Sequence, residues 1–240
     1  MKLTFLGTRG YIDAANRRHR RHTSLEVAYR GKRVVVDFGE DWKRRFNEVR
    51  PKAILLTHAH PDHAAGLSEG ADCPVYATRA SWDGLESFPI PDRRRVEPRE
   101  PLQVQGMTFE AFPLEHSTRA PAVGYRITAG EVIVFYAPDV VYIHDREEAL
   151  ENARLYIGDG ATLTSSLVRR DGEHLIGHTP VRTQLTWCRE EGVPRMIVTH
   201  CGSEIVEGDE RILGAELRTM ARDRGVKVEI AHDGMELVLR

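Results

Sequence analysis

Apolar residues along the chain gather into short runs bounded by glycine, proline and polar residues, the pattern of strands with mostly covered faces. Lys2 to Phe5, Ala53 to Thr57, Met107 to Phe112, Val123 to Thr128, Val132 to Tyr136 and Met196 to Val198 read as strands, and Ala129-Gly130 joins two of them. Stretches of helical period lie between and after them. From Thr179 to Glu191 the residues Val181, Leu185 and Cys188 form a stripe, with Thr179 as N-cap, Pro180 in the first turn and Gly192 as terminator. From Glu210 to Arg224, Leu213, Leu217, Met220 and Ala221 share one face and Gly225 follows. Strands and helices alternate in two halves, so the pattern predicts an α/β fold of two sheets packed face to face with helices outside. Ser87 to Pro101, rich in proline and arginine, reads as a surface crossover between the halves. No low-complexity tract or solenoid-period repeat interrupts the pattern.

The run Ala53 to Thr57 empties into His58-Ala59-His60-Pro61-Asp62-His63-Ala64-Ala65-Gly66. Side chains alternate along an extended segment, so His58 and His60 share a face and can grip one cation. Asp62 and His63, beyond Pro61, can reach a second. A catalytic ion needs about three protein ligands and an open position, so more donors must come from elsewhere. His116, Asp139 and His200 each follow a predicted strand, as the histidine motif does, and are candidates to complete a two-metal centre.

With these residues in place the chain resembles the metallo-β-lactamase-fold hydrolases, and within them the ribonuclease Z and cyclic-phosphodiesterase branch. The likeness runs through Leu6-Gly7-Thr8-Arg9-Gly10, Arg20 to Val27, Val34 to Gly39, the histidine motif and the closing Ala231 to Leu239. It implies a four-layer αββα metallo-β-lactamase sandwich over residues 1–240 and a last hairpin in Ala231 to Leu239. It also implies a dinuclear centre in which His58, His60 and His116 bind one ion, Asp62, His63 and His200 bind the other, and Asp139 bridges. Asp37 would order the histidine loop from behind. Zinc suits so many histidines, and the two aspartates would also accept manganese or iron.

Ile176-Gly177-His178-Thr179-Pro180, ahead of a helix and the strand that ends at His200, is similar to ribonuclease Z. There the matching histidine faces the substrate phosphate and supplies a proton. The resemblance therefore implies phosphodiester hydrolysis, with Asp62 orienting the nucleophile and His178 protonating the leaving alkoxide. Two departures separate the chain from transfer-RNA processing. Gly158-Asp159-Gly160-Ala161-Thr162 stands where ribonuclease Z has His-Glu-Ala-Thr, and the short segment between His116 and Asp139 leaves no room for a tRNA-binding arm. The expected substrate is a small or cyclic phosphodiester, and stable tRNA binding is not expected. Alternatives are a thioester, lactone or β-lactam-type hydrolase on the same core, or a non-catalytic nucleic-acid processing subunit.

Charge adds to this picture. With 34 Lys and Arg against 36 Asp and Glu the formal net charge is −2, without the basic excess of a general nucleic-acid binder. Basic residues nevertheless cluster at Asn16 to His22 and at Arg93 to Arg95. The first run, in the loop after the first strand, offers Arg18, Arg20 and Arg21 as contacts to substrate phosphates at the active-site rim. His19, His22, His144, His174 and His232 fall outside the ligand set. Cys73, Cys188 and Cys201 make no Cys-x-x-Cys pair, which argues against a disulfide framework or a zinc ribbon. No apolar stretch approaches the ~20 residues of a membrane span, and the N-terminal segment reads as a strand, not a signal peptide. The expectation is a cytoplasmic protein without membrane association, with a homodimer left open.

Overall fold

In the computed structural model, which describes residues 1–240, the apolar runs become strands of two large mixed sheets. The first contains β1 (Lys2–Gly7), β2 (Ser24–Tyr29), β3 (Lys32–Val36), β4 (Ile54–Leu55), β5 (Val75–Ala77) and β6 (Arg93–Arg95), in that spatial order. The second contains β7 (Leu102–Val104), β8 (Met107–Glu115), β9 (Ala122–Ala129), β10 (Val132–Ala137), β11 (Tyr142–Ile143) and β12 (Leu155–Asp159). A separate exposed hairpin follows, β13 (Arg169–Asp171) and β14 (His174–Ile176). Then β15 (Arg195–Thr199) and β16 (Lys227–Ile230) complete the second sheet, and β17 (Glu236–Val238) returns to the first beside β1. Each sheet is antiparallel on one side and parallel on the other. β3 to β6 run parallel in the first, as do β10, β12, β15 and β16 in the second.

Side-chain alternation sorts the apolar residues into three packed zones. Leu3, Phe5, Val34 and Leu55 from one sheet meet Phe109, Tyr125, Val134 and Ile157 from the other between the sheets. Val35 and Ile54 point the opposite way and pack with Phe38, Trp42 and Leu67 outside the first sheet. Phe135, Tyr156 and Met196 pack outside the second sheet against Val181, Leu185, Leu213 and Leu217 of the helices Val181–Glu190 and Glu210–Arg222. The result is the expected αββα sandwich. No helix is long and apolar enough to cross a membrane.

Three local expectations change. Ser87 to Pro101 is more than a crossover, because Arg93–Arg95 form the edge strand β6 before the chain enters the second sheet. The closing segment is not a hairpin: β16 pairs with β15 and β17 with β1, so Ala231 to Met235 is a bridge between sheets. Thr179 does not cap its helix. The Thr179 N–H donates to the Val140 carbonyl at 2.8 Å, which keeps the chain extended through Pro180, and the helix starts at Val181 with no side-chain cap. The last helix is capped instead by Asp209, whose Oδ1 accepts from the Arg211 and Ile212 N–H groups at 2.9 and 3.2 Å.

Because the core residues of the inter-sheet zone are buried, truncation there leaves a void. Phe109, 1 % exposed and edge-on to Tyr125, is the probe. Phe109→Ala should lower unfolding free energy by about 3–5 kcal/mol in urea denaturation, whereas the exposed edge-strand change Arg95→Ala should stay within about 0.5 kcal/mol.

Candidate metal centre

The polar residues converge where strands end. β4 runs out at Leu55 ahead of Thr57 and His58, β8 at Glu115 ahead of His116, and β10 at Ala137 two residues before Asp139. β12 ends on Asp159 itself, and β15 ends at Thr199 before His200. After His60 the chain turns into a single helical turn, Pro61–Ala64, with Pro61 in the first position, which lifts Asp62 and His63 away from the extended pair. Gly66 lets this turn lie against the end of β3, since a Cβ there would come within 2.6 Å of the Phe38 carbonyl oxygen. Gly10 plays the same part beside His200, where a Cβ would stand 3.0 Å from the ring.

Two four-donor groups result. They comprise His58, His60, His116 and Asp139, and Asp62, His63, Asp139 and His200. In each group the donor atoms lie within 4.8 Å of one another, and Asp139 belongs to both. His58 Nε2 and His60 Nδ1 are 3.0 Å apart, and His116 Nε2 is 3.3 Å from the same His60 atom. Asp139 Oδ2 stands 3.3 Å from His58 Nε2, 3.0 Å from His63 Nε2 and 3.5 Å from His116 Nε2. Asp62 Oδ2 lies 3.1 Å from His200 Nε2 and 3.3 Å from His63 Nε2. Several of these contacts are close without being aligned as hydrogen bonds: His63 Nε2, Asp139 Oδ1 and His200 Nδ1 are buried and have no hydrogen-bond partner. Buried polar atoms gathered this closely without hydrogen-bond partners fit a cation between them.

The opposite ring nitrogens are fixed from behind. Asp37 accepts from Thr57 N–H at 2.8 Å and shares the proton of His63 Nδ1 at 2.9 Å. His58 Nδ1 meets Thr57 Oγ1 at 3.0 Å, and His116 Nδ1 donates to the Gly177 carbonyl at 3.0 Å. Asp37 and His200 both have left-handed backbone, φ 64° and 50°, a conformation that aspartate and histidine tolerate better than most residues. Burial, and for His58 the neighbouring His63, pushes the pKa values of His58, His60 and His116 down, that of His60 to about 4, so all are neutral imidazoles able to coordinate. For His63 and His200 burial acts the same way, but the surrounding carboxylates outweigh it and raise both pKa values well above the ordinary one. Asp62 and Asp139 are correspondingly held ionised by these histidines despite burial.

His178 stands apart from the two groups. Its Nδ1 is 2.7 Å from Asp159 Oδ2, and its ring stacks 5.6 Å from that of His200. Asp159 is itself held by the Val140 N–H at 3.0 Å and the Ala161 N–H at 2.8 Å. Burial opposes charge on His178, and Asp159 more than compensates, raising its pKa. A further four-residue group, Asp139, Asp159, His178 and His200, is also within ligand distance, but there the His178 Nδ1 is already engaged by Asp159. Asp159 thus reaches the histidine and orients it.

All of this opens into a cavity of about 570 Å³ whose wall includes His60, Asp62, His116, Asp139, His178 and His200. Sequence reasoning missed its other wall, Tyr11, Ile12, Leu167 and Glu204, because these come from loops and have no periodic or spacing signal. The arginine run does not reach it. Arg18 pairs with Glu210 at 3.1 Å, Arg21 lies over the Trp42 ring and near Glu48, and the Arg20 N–H donates to Asp233 Oδ2 at 3.0 Å. None of the three lines the cavity, so the expected rim contact to a phosphate is corrected: the loop is folded back onto acidic groups elsewhere on the surface.

The family described as Beta-lactamase superfamily domain matches residues 32–201. Ribonuclease Z of Methanopyrus kandleri is 26 % identical over 284 residues, covering 99 % of this chain and 98 % of that protein. Among solved structures, a metallo-β-lactamase fold protein of Bacillus subtilis superposes with a TM-score of 0.76 at 22 % identity, covering 98 % of each chain. A diphosphatase of the PhnP family superposes at 0.71 and 21 % identity, covering 98 % of this chain and 96 % of that one. The two structural likenesses establish the fold.

Protonated His63 and His200 must give up protons to coordinate a cation, so cation affinity should rise with pH. Titrating Zn²⁺ or Mn²⁺ into metal-stripped protein in weak buffer should acidify the solution and, at a hundredfold excess over Kd, raise the melting temperature by about 5–10 °C. Asp139→Ala, which removes the residue common to both groups, should abolish both responses.

Proposed function

The chain belongs to the β-lactamase superfamily and is a metallo-hydrolase of that superfamily, and on that premise we propose that it hydrolyses small or cyclic phosphodiesters. His58, His60 and His116 would hold one divalent cation and Asp62, His63 and His200 a second, with Asp139 shared, and the unpartnered atoms of His63, Asp139 and His200 fit that occupancy. When bound, such cations supply a nucleophile at neutral pH and offset the charge of phosphoryl oxygens. Zinc suits the histidine-rich set, and manganese or iron is compatible with the carboxylates.

The observation that carries the reading is the His178–Asp159 pair. Asp159 occupies Nδ1 of His178 at 2.7 Å, so Nε2 is the ring atom left to hold a proton for a substrate in the cavity. An alkoxide is a poor leaving group and needs such a proton, whereas a thiolate does not. Asp62, on the cavity wall, orients the attacking oxygen while its Oδ2 stays beside His63 and His200. The relatives named ribonuclease Z and diphosphatase are, by those names, enzymes of phosphorus–oxygen bonds, which supports the same chemistry.

Small substrates are favoured over precursor tRNA because the segment from Ala122 to Ala137 is spent on β9, β10 and the tight turn between them, with no projecting arm. The arginine run is also folded away from the cavity.

His178→Ala should retain its metal and lose about 10²–10⁴-fold in rate on diesters with alkyl leaving groups, with a much smaller loss on nitrophenyl diesters. Equal losses on both, or loss of metal by elemental analysis, would remove His178 from this role.

Metal-loaded protein offered 2′,3′-cyclic nucleotides, bis-nitrophenyl phosphate, a precursor tRNA, a thioester, a lactone and a β-lactam should turn over the first two. Efficient release of a tRNA 3′ trailer, or turnover confined to the carbonyl substrates, would refute the reading.

A further inference from the structure

The proposed chemistry uses one wall of the cavity and leaves the other without a role. Of the five large apolar side chains that the fold leaves exposed, two line this cavity: Tyr11 at 65 % and Leu167 at 46 %. Ile12 lies with them. Tyr11 belongs to the loop after β1, and Leu167 precedes the β13–β14 hairpin, far away in sequence. Both segments are tied to residues of the reacting centre. The Gly10 N–H donates to the Cys201 carbonyl at 3.0 Å, one residue past His200, and the Leu167 N–H donates to the His178 carbonyl at 3.2 Å. The Arg9 guanidinium bonds the Ile12 carbonyl and pairs with Asp41 at 2.7 Å, which pins the same loop from its other side. Exposed apolar side chains held at fixed positions around a cavity, and not scattered singly, mark a binding surface.

The charge of this wall points the same way. The cavity lining contains no lysine or arginine. Away from the metal donors its charged side chain is Glu204, whose carboxylate accepts from Thr162 Oγ1 at 3.2 Å and from the Leu163 N–H at 2.9 Å. With the first anionic centre at the metals and His178, a second anionic group on a ligand would meet the Glu204 carboxylate and find no lysine or arginine to pair with, at a desolvation cost nothing offsets. A flat apolar group would instead lie on Tyr11 and bury itself against Ile12 and Leu167.

We infer that Tyr11, Ile12 and Leu167 form a subsite for an aromatic substituent, and that the ligand class is one with a single anionic centre at the metals and an uncharged aromatic group beside it. The inference rests on the phosphodiesterase reading only for the identity of the anionic centre. Substituents bearing a terminal phosphate or carboxylate are disfavoured by Glu204.

Calorimetry on the metal-loaded protein with methylphosphonate, phenylphosphonate and 4-phosphonobenzoate tests this without turnover. Phenylphosphonate should bind about tenfold or more tightly than methylphosphonate, as expected for burial of a ring, and the added carboxylate should cancel that gain. Tyr11→Ala and Leu167→Ala, both changes of exposed side chains, should each shrink the phenyl-to-methyl ratio, and the double variant should bring it close to one. Equal affinities in the native protein, no measurable binding of phenylphosphonate, or an undiminished ratio in the double variant would overturn the subsite. Failure to hydrolyse any diester would refute the phosphodiesterase reading separately, since the affinity ratio does not depend on the reaction.

Discussion

A buried carboxylate must be paired, and the arrangement of this molecule's functional end follows from one of them. Asp139 is 3 % exposed and has imidazole nitrogens of His58, His63, His116 and His200 within 3.5 Å. Those four histidines leave the ends of three different strands in two different sheets, so the carboxylate is satisfied only when both sheets are docked in register. Without a cation the same cluster concentrates ionised groups in the largely buried wall of the cavity, which makes it an expensive arrangement for a fold to keep and a favourable one for cations to enter.

What holds the cluster in place is a layer of residues that do not face the cavity. Asp37 and Thr57 fix the rear nitrogens of His63 and His58, and Asp37 is itself anchored at the exit of β3 in a left-handed conformation. Gly10 lets the loop after β1 lie against the His200 ring, and Gly66 lets the histidine-bearing turn lie against the Phe38 and Gly39 backbone, where a methyl group would collide. His116 reaches the Gly177 carbonyl, and the Thr179 N–H reaches Val140, so the segment carrying His178 is stitched to two strand ends before its helix begins. The cost is the absence of a helix cap at Thr179, offset by the precise placing of His178 between Asp159 and the cavity.

The sandwich also explains why the two ends of the molecule differ. Parallel strands deliver their C-terminal ends to one edge, where loops are free to carry polar residues, while the antiparallel strands close the far side with tight turns such as Gly130-Glu131. Chemistry therefore gathers on one rim and the rest of the sequence serves packing.

Much of this was legible in the chain itself. The alternating and continuous apolar runs determined the strands and the two long helices, since periodicity is set by local backbone geometry. The His58-to-His63 spacing determined that donors would cluster, because a strand exit followed by proline leaves few other shapes. His116, Asp139 and His200 were visible as polar residues at strand ends. What they meet was not: the convergence of the two donor groups on Asp139, and of His178 on Asp159, depends on which strand lies beside which, and pairing between distant segments leaves no periodic trace. The same reason accounts for the misplaced features. Arg18, Arg20 and Arg21 could be read as a basic run, but only the fold shows Glu210, Glu48, Trp42 and Asp233 drawing that loop away from the cavity. The final strand could be read as strand, but its partner, β1, was decided by docking of the two sheets, which no local pattern encodes.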